Sequence, residues 1–441
     1  MAISCLPVPD IWFMTHTTPE WRPLWSFRLI LVCLAAVSVS LPMAWISLAK
    51  VLLFTAGLAY LIAGHFKSRR DPAFTKLWTP GIVLLILIAF ALSLFWTVVD
   101  LEFALLAFVK HGKLMEILLL LSLIRTTREA HMGIMAFAAG QIFLLVSSWL
   151  LATSVPIPWV TDPIGKNVVF STYLDQSIIF ATAAAVFWHL RSDKLWPRWL
   201  GGLLAGAALI NTLLLLEGRS GYLVALAVLS LAAMWAMPKR WRLTTLVATP
   251  IIVVFGLYAG SSQVQERLHK VWRESQNYTS QGENVSSSGW RLNAWHRSLQ
   301  AMLDEPWTGH GVGSWTPAVK RHEGASAIKT FGAGDSSNPH QEYLLWGVEL
   351  GFGGTLLLLA LMVSVMRDAQ RFSPSVKQAT ISVMAAMAVA CVFNSALYDD
   401  LLGDFFCITL GLLMALGLRG DASQAGLTMS APSQKPTEGS T

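Results

Sequence analysis

No charged side chain occurs in Trp78-Thr-Pro-Gly-Ile-Val-Leu-Leu-Ile-Leu-Ile-Ala-Phe-Ala-Leu-Ser-Leu-Phe-Trp-Thr97. As an α-helix, a stretch of this length crosses a hydrocarbon core of about 30 Å. Comparable apolar stretches recur from Phe27 onward. The chain of 441 residues is 54% hydrophobic and 13% charged, whereas soluble domains carry roughly 25% charged residues. The sequence therefore predicts an all-α, polytopic membrane protein.

The apolar segments predict twelve transmembrane helices. They lie at residues 25–42, 44–64, 78–97, 101–124, 133–153, 168–190, 199–217, 220–237, 243–260, 343–366, 376–397 and 402–419. Cytoplasmic loops are enriched in Lys and Arg. If the N-terminus is cytoplasmic, the inward connections contain most of the loop cations, and the short outward connections contain few besides Lys166 and Arg219. Twelve spans with both ends inside therefore fit the loop charges.

This topology divides the chain into five parts. Residues 1–24 form a cytoplasmic leader, which lacks the features of a signal peptide. Residues 25–260 contain the first nine spans, and 261–342 form one large loop on the outer face. Residues 343–419 contain the last three spans. Residues 420–441, rich in Ser, Thr, Gly and Pro, are predicted to be a disordered cytoplasmic tail.

Charge and motif content exclude several classes of function. The net charge of +6 is mostly the inward-facing loop charge, so it predicts contact with anionic membrane lipids and no nucleic-acid partner. The four cysteines form neither a disulfide framework nor a metal-binding pattern. Neither an Asp-x-Asp motif nor a P-loop occurs, so we predict no metal and no cofactor. Energy must then arrive with the substrate.

Two helices are predicted in the outer loop. The first, at 262–276, has apolar residues at helical spacing and suits an amphipathic helix against the membrane or the bundle. A break rich in Ser, Gly and Asn follows, from Asn277 to Gly289. The second helix then begins after Ser288 as N-cap and ends at Asp304.

Arg291 falls in the first turn of this second helix, where the helix dipole disfavours a cation. A cation there suits an anion-binding site that it shares with the helix end. The alternative is a solvated arginine paired with Glu283 or Asp304.

Arg219 is the second candidate, in the turn Glu217-Gly-Arg-Ser-Gly221 between two spans. An ionisable residue at a span end either snorkels to the interface or has a function. Gly218 and Gly221 allow the backbone a close approach to a ligand.

His340 precedes the tenth span. Asn338 suits the N-cap of that helix, Pro339 its first position, and Gln341 the capping-box partner. This places His340 in the first turn, where the positive helix end favours a neutral ring that can accept a proton. The alternative is a structural hydrogen-bonding histidine. Together, Arg219, Arg291 and His340 describe a site with two functions. The arginines hold a diphosphate without a metal, and the histidine acts as the base that activates a hydroxyl.

Three further residues are candidates for supporting roles. Lys113 interrupts the fourth predicted span, where it either extends the cationic surface or pairs with Glu116. Asp399 either orients His340 or an arginine, or caps the twelfth helix. Tyr343 either contacts a polyprenyl chain or belongs to an interfacial aromatic belt.

Three blocks of sequence carry a resemblance. They are Leu214-Leu-Leu-Glu-Gly-Arg-Ser-Gly-Tyr222, then Ser288-Gly-Trp-Arg-Leu-Asn-Ala-Trp295 with Glu305-Pro-Trp-Thr-Gly-His-Gly-Val-Gly313, then Pro339-His-Gln-Glu-Tyr-Leu-Leu-Trp-Gly-Val-Glu-Leu-Gly351. In this order they resemble the signature blocks of the O-antigen ligase and polymerase superfamily. The first five spans are similar to the family only in being hydrophobic.

The resemblance implies a helical bundle like that of GT-C type glycosyltransferases with lipid-linked donors. It implies transfer of O-antigen from undecaprenyl diphosphate to lipid A–core oligosaccharide, at the periplasmic face of the Gram-negative inner membrane. Arg219 and Arg291 then correspond to the arginines that hold the donor diphosphate, and His340 to the catalytic histidine. The chain departs from the family pattern at Gly218, where serine is usual, and at Gln341, where asparagine is frequent.

Three other functions fit parts of this pattern. An O-antigen polymerase, or a ligase that glycosylates a protein hydroxyl, shares the donor and differs in its acceptor. A lipid-linked sugar transporter also has twelve spans, but a transporter is expected to show a repeat between its halves. No convincing repeat occurs in this sequence.

Overall fold

The computed structural model describes residues 26–66, 75–160, 165–193, 195–260, 265, 266, 269, 287–322 and 338–429. Within these ranges the α-helices are α1 (Phe27–Ser38), α2 (Met43–Phe66), α3 (Thr79–Ser93), α4 (Leu101–His111), α5 (Met115–Leu123), α6 (Thr127–Ala152), α7 (Tyr173–Leu190), α8 (Arg198–Ile210), α9 (Arg219–Ala236), α10 (Arg242–Gly260), α11 (Ser287–Asp304), α12 (Trp315–Lys320), α13 (Glu342–Ala369), α14 (Pro374–Phe393) and α15 (Asp400–Met429). No strand occurs in these described ranges.

Eight helices in the described part of the chain are long and apolar enough to cross a membrane. They correspond to the predicted spans at 44–64, 133–153, 199–217, 220–237, 243–260, 343–366, 376–397 and 402–419. The predicted spans at 25–42 and 78–97 correspond to the shorter apolar helices α1 and α3. The protein is thus an all-helical polytopic membrane protein, whereas the count of twelve spans is not confirmed.

The predicted span at 101–124 is not one continuous helix. It divides into α4, a 3₁₀ turn at Gly112–Leu114, and α5. The division falls where Lys110, His111 and Lys113 interrupt the apolar sequence. Charged and imidazole groups in an apolar environment need polar partners, and a break in the helix lets them turn toward those partners.

The structure bears on two further predicted segments and does not describe most of two others. The span predicted at 168–190 is α7, which begins at Tyr173, and its Asp175, Gln176 and His189 make it less apolar than the eight candidate spans. The last helix, α15, continues to Met429, so the tail predicted from residue 420 begins within a helix. The predicted leader lies outside the described residues, as does most of the first loop helix.

The loop at 305–313 packs into a break in α13. Gly351 has a φ of +65° inside that helix, and a side chain there would overlap the carbonyl of Pro306. Around the break, Phe352 N donates to Pro306 O at 2.8 Å, and His310 N donates to the preceding turn of α13 at 2.9 Å. The glycine-rich turn is therefore a packing element that fixes the loop after α11 to the bundle.

Candidate functional site

Arg219 is the first residue of α9, and Gly218 is the N-cap residue of this helix. Gly218 and Gly221 both face Ser177 on α7, where a Cβ on either glycine would overlap the serine side chain. The two glycines thus allow close helix packing, which differs from the predicted approach of backbone to a ligand. Arg219 is half-buried at a helix N-terminus, where the helix dipole adds to its positive potential.

Arg291 lies on α11, two positions further into the helix than predicted. The helix begins at Ser287, so the predicted N-cap Ser288 is inside it and Arg291 is in the second turn. A run of serines offers several equivalent starts for a helix, and the local pattern does not distinguish them. The helix end therefore contributes less to an anion site at Arg291 than the sequence suggested.

The charge of Arg291 interacts with groups from two other elements. Burial lowers the pKa of its guanidinium, the Tyr173 phenol opposes this shift, and the positive charge of Arg219 lowers the pKa further. Tyr173 is the first residue of α7, and Arg219 is the first of α9. Two arginines that are far apart in sequence therefore lie within electrostatic reach at one end of the bundle.

His340 lies outside helix α13, contrary to the prediction that it occupies the first turn. Helix α13 begins at Glu342, and the side chain of Gln341 caps it by accepting from Leu344 N at 2.7 Å. Asn338 Oδ1 instead accepts from His340 N at 2.9 Å. His340 consequently has a φ of +51°, a left-handed conformation that is uncommon for residues other than glycine.

The imidazole ring of His340 contacts two side chains. Its Nδ1 lies 3.1 Å from Asn394 Oδ1, and its ring makes an edge contact with Trp290 at a centroid distance of 5.3 Å. Burial lowers the pKa of His340, the hydrogen bond with Asn394 opposes this, Arg291 lowers it again and Asp399 raises it. The net lowering agrees with the predicted neutral ring, although burial is the main cause and the helix end is not.

Helix α11 holds this region together from one side. Trp290 and Arg291 are adjacent on it, and Trp295 one turn later donates its indole N–H to the carbonyl of Pro339 at 3.1 Å. Helix α11 thus provides the cation Arg291, a ring that contacts His340 and an indole N–H that donates to Pro339, the residue before His340. Arg291 is therefore within electrostatic reach of both Arg219 and His340.

The segment between α14 and α15 closes the other side. Asp399 Oδ1 accepts from Leu401 N and Leu402 N, both at 3.0 Å, so Asp399 caps α15, and its charge also reaches His340. The two predicted roles of Asp399 are therefore compatible. Lys113 Nζ donates to the carbonyl of Asp399 at 2.7 Å and pairs with Asp400 at 3.0 Å, so its ion pair is with Asp400 and not with Glu116.

Tyr343 is directed to helix packing in this structure. Its hydroxyl donates to the carbonyl of Ala388 on α14 at 3.0 Å. Its proposed contact with a polyprenyl chain stays a prediction.

Sequence reasoning missed Asn394, Trp290 and Tyr173. Asn394 ends an apolar run and is an amide inside a predicted span, which is a signal that the sequence does carry. Trp290 lies in the second family-like block, directly before Arg291. Tyr173 has no comparable signal, because it is far from Arg291 in sequence and only the fold brings the two within electrostatic reach.

Chemically, the arrangement provides positive charge beside a base. Two guanidinium groups can hold a diphosphate by charge-assisted hydrogen bonds, and a buried neutral imidazole can accept a proton from a hydroxyl. In the described ranges, no group of three or more His, Cys, Asp or Glu side chains is placed to hold a metal ion. Whether the chemistry is independent of metal stays a prediction.

The fold and site define a class: a polytopic helical membrane protein in which two arginines and a histidine from different elements lie within electrostatic reach. Residues 204–359 match the family model described as O-Antigen ligase. This match supports the resemblance to the O-antigen ligase and polymerase superfamily that the three sequence blocks indicated, over residues 204–359. The match includes Arg219, Arg291 and His340 and ends within α13. No match among curated proteins reaches significance.

Proposed function

We propose that this protein is an O-antigen ligase. It transfers a glycan from undecaprenyl diphosphate onto a hydroxyl of lipid A–core oligosaccharide at the periplasmic face of the bacterial inner membrane. The observation that carries the proposal is that Arg291 is within electrostatic reach of both Arg219 and His340, although the three residues are distant in sequence. The family match at 204–359 supports the same donor chemistry.

In the proposed reaction, His340 removes the proton from the acceptor hydroxyl. The oxygen attacks the anomeric carbon of the donor sugar, the bond from that carbon to the diphosphate breaks, and undecaprenyl diphosphate leaves. General-base catalysis of this kind contributes roughly 10²–10⁴-fold to a rate. A single displacement inverts the anomeric centre, so retained configuration in the product would contradict this mechanism.

Arg219 and Arg291 hold the charge that develops on the departing diphosphate. Each well-placed donor to such a charge is worth roughly 10²–10³-fold in a rate. The arginines sit close enough together to interact, so a diphosphate between them is attracted by both. This proposal requires no bound metal and no cofactor, because the positive charge comes from the chain.

The test is transfer by purified protein, with undecaprenyl-diphosphate-linked glycan and lipid A–core acceptor in excess EDTA. We expect product from wild type and a loss of at least ~100-fold in His340→Ala. The matched control is His322→Ala, because His322 pairs with Asp304 on the surface, where ion pairs contribute little. Equal activity of the two variants would overturn the role of His340.

The acceptor decides between the proposed ligase and its close alternatives. Product formed only with a second lipid-linked glycan would indicate a polymerase, and product formed only with a pilin-like protein would indicate a protein ligase. Movement of the labelled donor across a sealed vesicle, without any transfer, would indicate a transporter. The description of the matching family as O-antigen ligase favours lipid A–core as the first acceptor to test.

A further inference from the structure

The hydrogen bond of His340 defines which ring nitrogen can act. Its Nδ1 faces Asn394 Oδ1 at 3.1 Å. An amide oxygen only accepts, so a neutral ring must donate Nδ1–H, and its other nitrogen, Nε2, is then the one with a free lone pair. In histidine, the partner of one ring nitrogen sets the state of the other.

We infer that Asn394 is a positioning residue that accepts Nδ1–H of His340, fixes this tautomer and leaves Nε2 as the base. The inference rests on the proposed function, in which His340 takes a proton from the acceptor hydroxyl. Asn394 itself touches no substrate in this scheme. It acts through the ring that it orients.

Asn394 is held firmly enough for this role. Its relative exposure is 7%, and its backbone N–H donates to Ala390 O at 2.8 Å, the last bond of α14. The next residue, Ser395, accepts from Gln341 N at 3.2 Å. Two consecutive residues, Asn394 and Ser395, therefore hydrogen-bond to two consecutive residues of the other segment, His340 and Gln341.

A buried carboxylate completes this frame. Glu342 Oε2 accepts from Leu397 N at 2.9 Å and from Tyr398 N at 3.2 Å. Glu342 lies two residues after His340, so the segment that follows Asn394 is fixed to the start of α13. A frame of this kind keeps an imidazole in one orientation, as outer partners do for imidazole ligands of metals.

A neutral partner suits a base that must stay unprotonated. The charged groups that reach His340 are Arg291 from α11 and Asp399 from the turn before α15, and their effects on its pKa are opposite. A carboxylate at position 394 would add a second negative neighbour and favour the imidazolium form. An amide fixes the tautomer, and although its hydrogen bond opposes the lowering of the His340 pKa, it adds no negative charge beside the ring.

The first test is the pH dependence of kcat/KM for transfer in Asn394→Asp and Asn394→Leu. A carboxylate keeps the Nδ1 partner but raises the pKa of His340, so the acidic limb should move up by about one pH unit or more, with the alkaline plateau largely kept. Leucine removes the partner, and we expect a loss of roughly 10–100-fold at every pH. A merely structural asparagine would not move the limb.

The matched control is Asn167→Asp. Asn167 is another asparagine with 7% exposure, and its amide donates to the carbonyl of Leu215 and not to a histidine ring. The acidic limb of the kcat/KM profile of Asn167→Asp should overlay that of wild type. A limb in Asn394→Asp that also overlays wild type, or full activity of Asn394→Leu, would overturn the inference.

The second test does not depend on turnover. In protein labelled with ¹⁵N-histidine, the ring signals of His340 are those missing from His340→Gln. We expect the Nδ1–H tautomer in wild type and a mixture of tautomers in Asn394→Leu. A wild-type ring protonated on Nε2 would overturn the inference even if transfer is observed. If no acceptor yields product, the proposed function fails, whereas this spectrum still decides the role of Asn394.

Discussion

Two charged clusters of this protein are built in opposite ways. The cationic site consists of Arg219, Arg291 and His340, where the charge of Arg219 reaches Arg291 and lowers its pKa. The buried ion cluster consists of Lys50 and the fully buried Glu116 and Asp404, in which Lys50 pairs with Asp404 at 2.6 Å. Adjacent like charges are unfavourable unless an anion binds beside them. A cation paired with a buried carboxylate needs no ligand.

The difference distinguishes structural charges from charges directed at a ligand. Both clusters interrupt apolar sequence, and sequence alone marks both as functional candidates. The structure separates them by the interactions that it shows: Arg219 lowers the pKa of Arg291, whereas Lys50 and Asp404 form a close ion pair. We therefore expect substitutions in the cationic site to affect transfer, and substitutions in the buried ion cluster to affect stability.

The largest effect on transfer is expected for Arg291→Ala. Loss of one of two groups that hold the diphosphate should lower kcat/KM by roughly 10²–10³-fold, and Arg291→Lys should restore only part, because ammonium lacks the forked geometry. The assay is initial-rate transfer, with the exposed Arg321→Ala as control. Activity of Arg291→Ala within a few-fold of the control would remove the main support for the comparison.

An intermediate effect is expected for Lys113→Ala, since Lys113 joins the two clusters. It holds the Asp399 carbonyl and pairs with Asp400, and its charge also reaches Glu116. We expect a loss of roughly 10-fold in kcat, as for other second-layer partners, measured beside the melting temperature. A near-normal kcat in Lys113→Ala would show that Lys113 has only a structural role, as a member of the buried ion cluster.

The smallest effect on transfer is expected for Lys50→Met. Removing the partner of a buried carboxylate is destabilising by roughly 3–5 kcal/mol, and the partial exposure of Lys50 places the expected cost at the low end. A matched pair, Lys50→Met with Asp404→Leu, should recover much of the melting temperature. Folded Lys50→Met should keep kcat within a few-fold of wild type. A kcat as low as that of Arg291→Ala would show that the two clusters do not differ.

The spans were predictable because length and apolarity alone decide whether a helix can cross a membrane. The break in the fourth predicted span was less predictable. An isolated charge in an apolar stretch does not indicate whether the helix itself breaks or a partner from another helix approaches it. At α13, the residues Asn338 to Gln341 contain two possible caps. The structure uses Gln341, which leaves His340 outside the helix, and local pattern could not choose between them.

The candidate site was predictable residue by residue but not as an arrangement. Arg219, Arg291 and His340 each lie in a recognisable block, and each block is local in sequence. Their placement depends on α11 packing beside α13, and on α9 and α13 both packing against α14, which no periodicity encodes. Asn394 was missed for the same reason, because its importance comes from the ring that it faces.

The break in α13 at Gly351 has a consequence for exchanging parts between relatives. The loop at 305–313 supplies hydrogen-bonding partners to the broken helix, and Gly313 N–H also donates to the Glu349 side chain at 2.7 Å. The loop and α13 therefore form one structural unit. A chimera that takes the loop from one parent and α13 from another would separate hydrogen-bonding partners. Junctions placed before α11 and after α13 keep the unit whole, so recombined enzymes with new acceptors should be cut there.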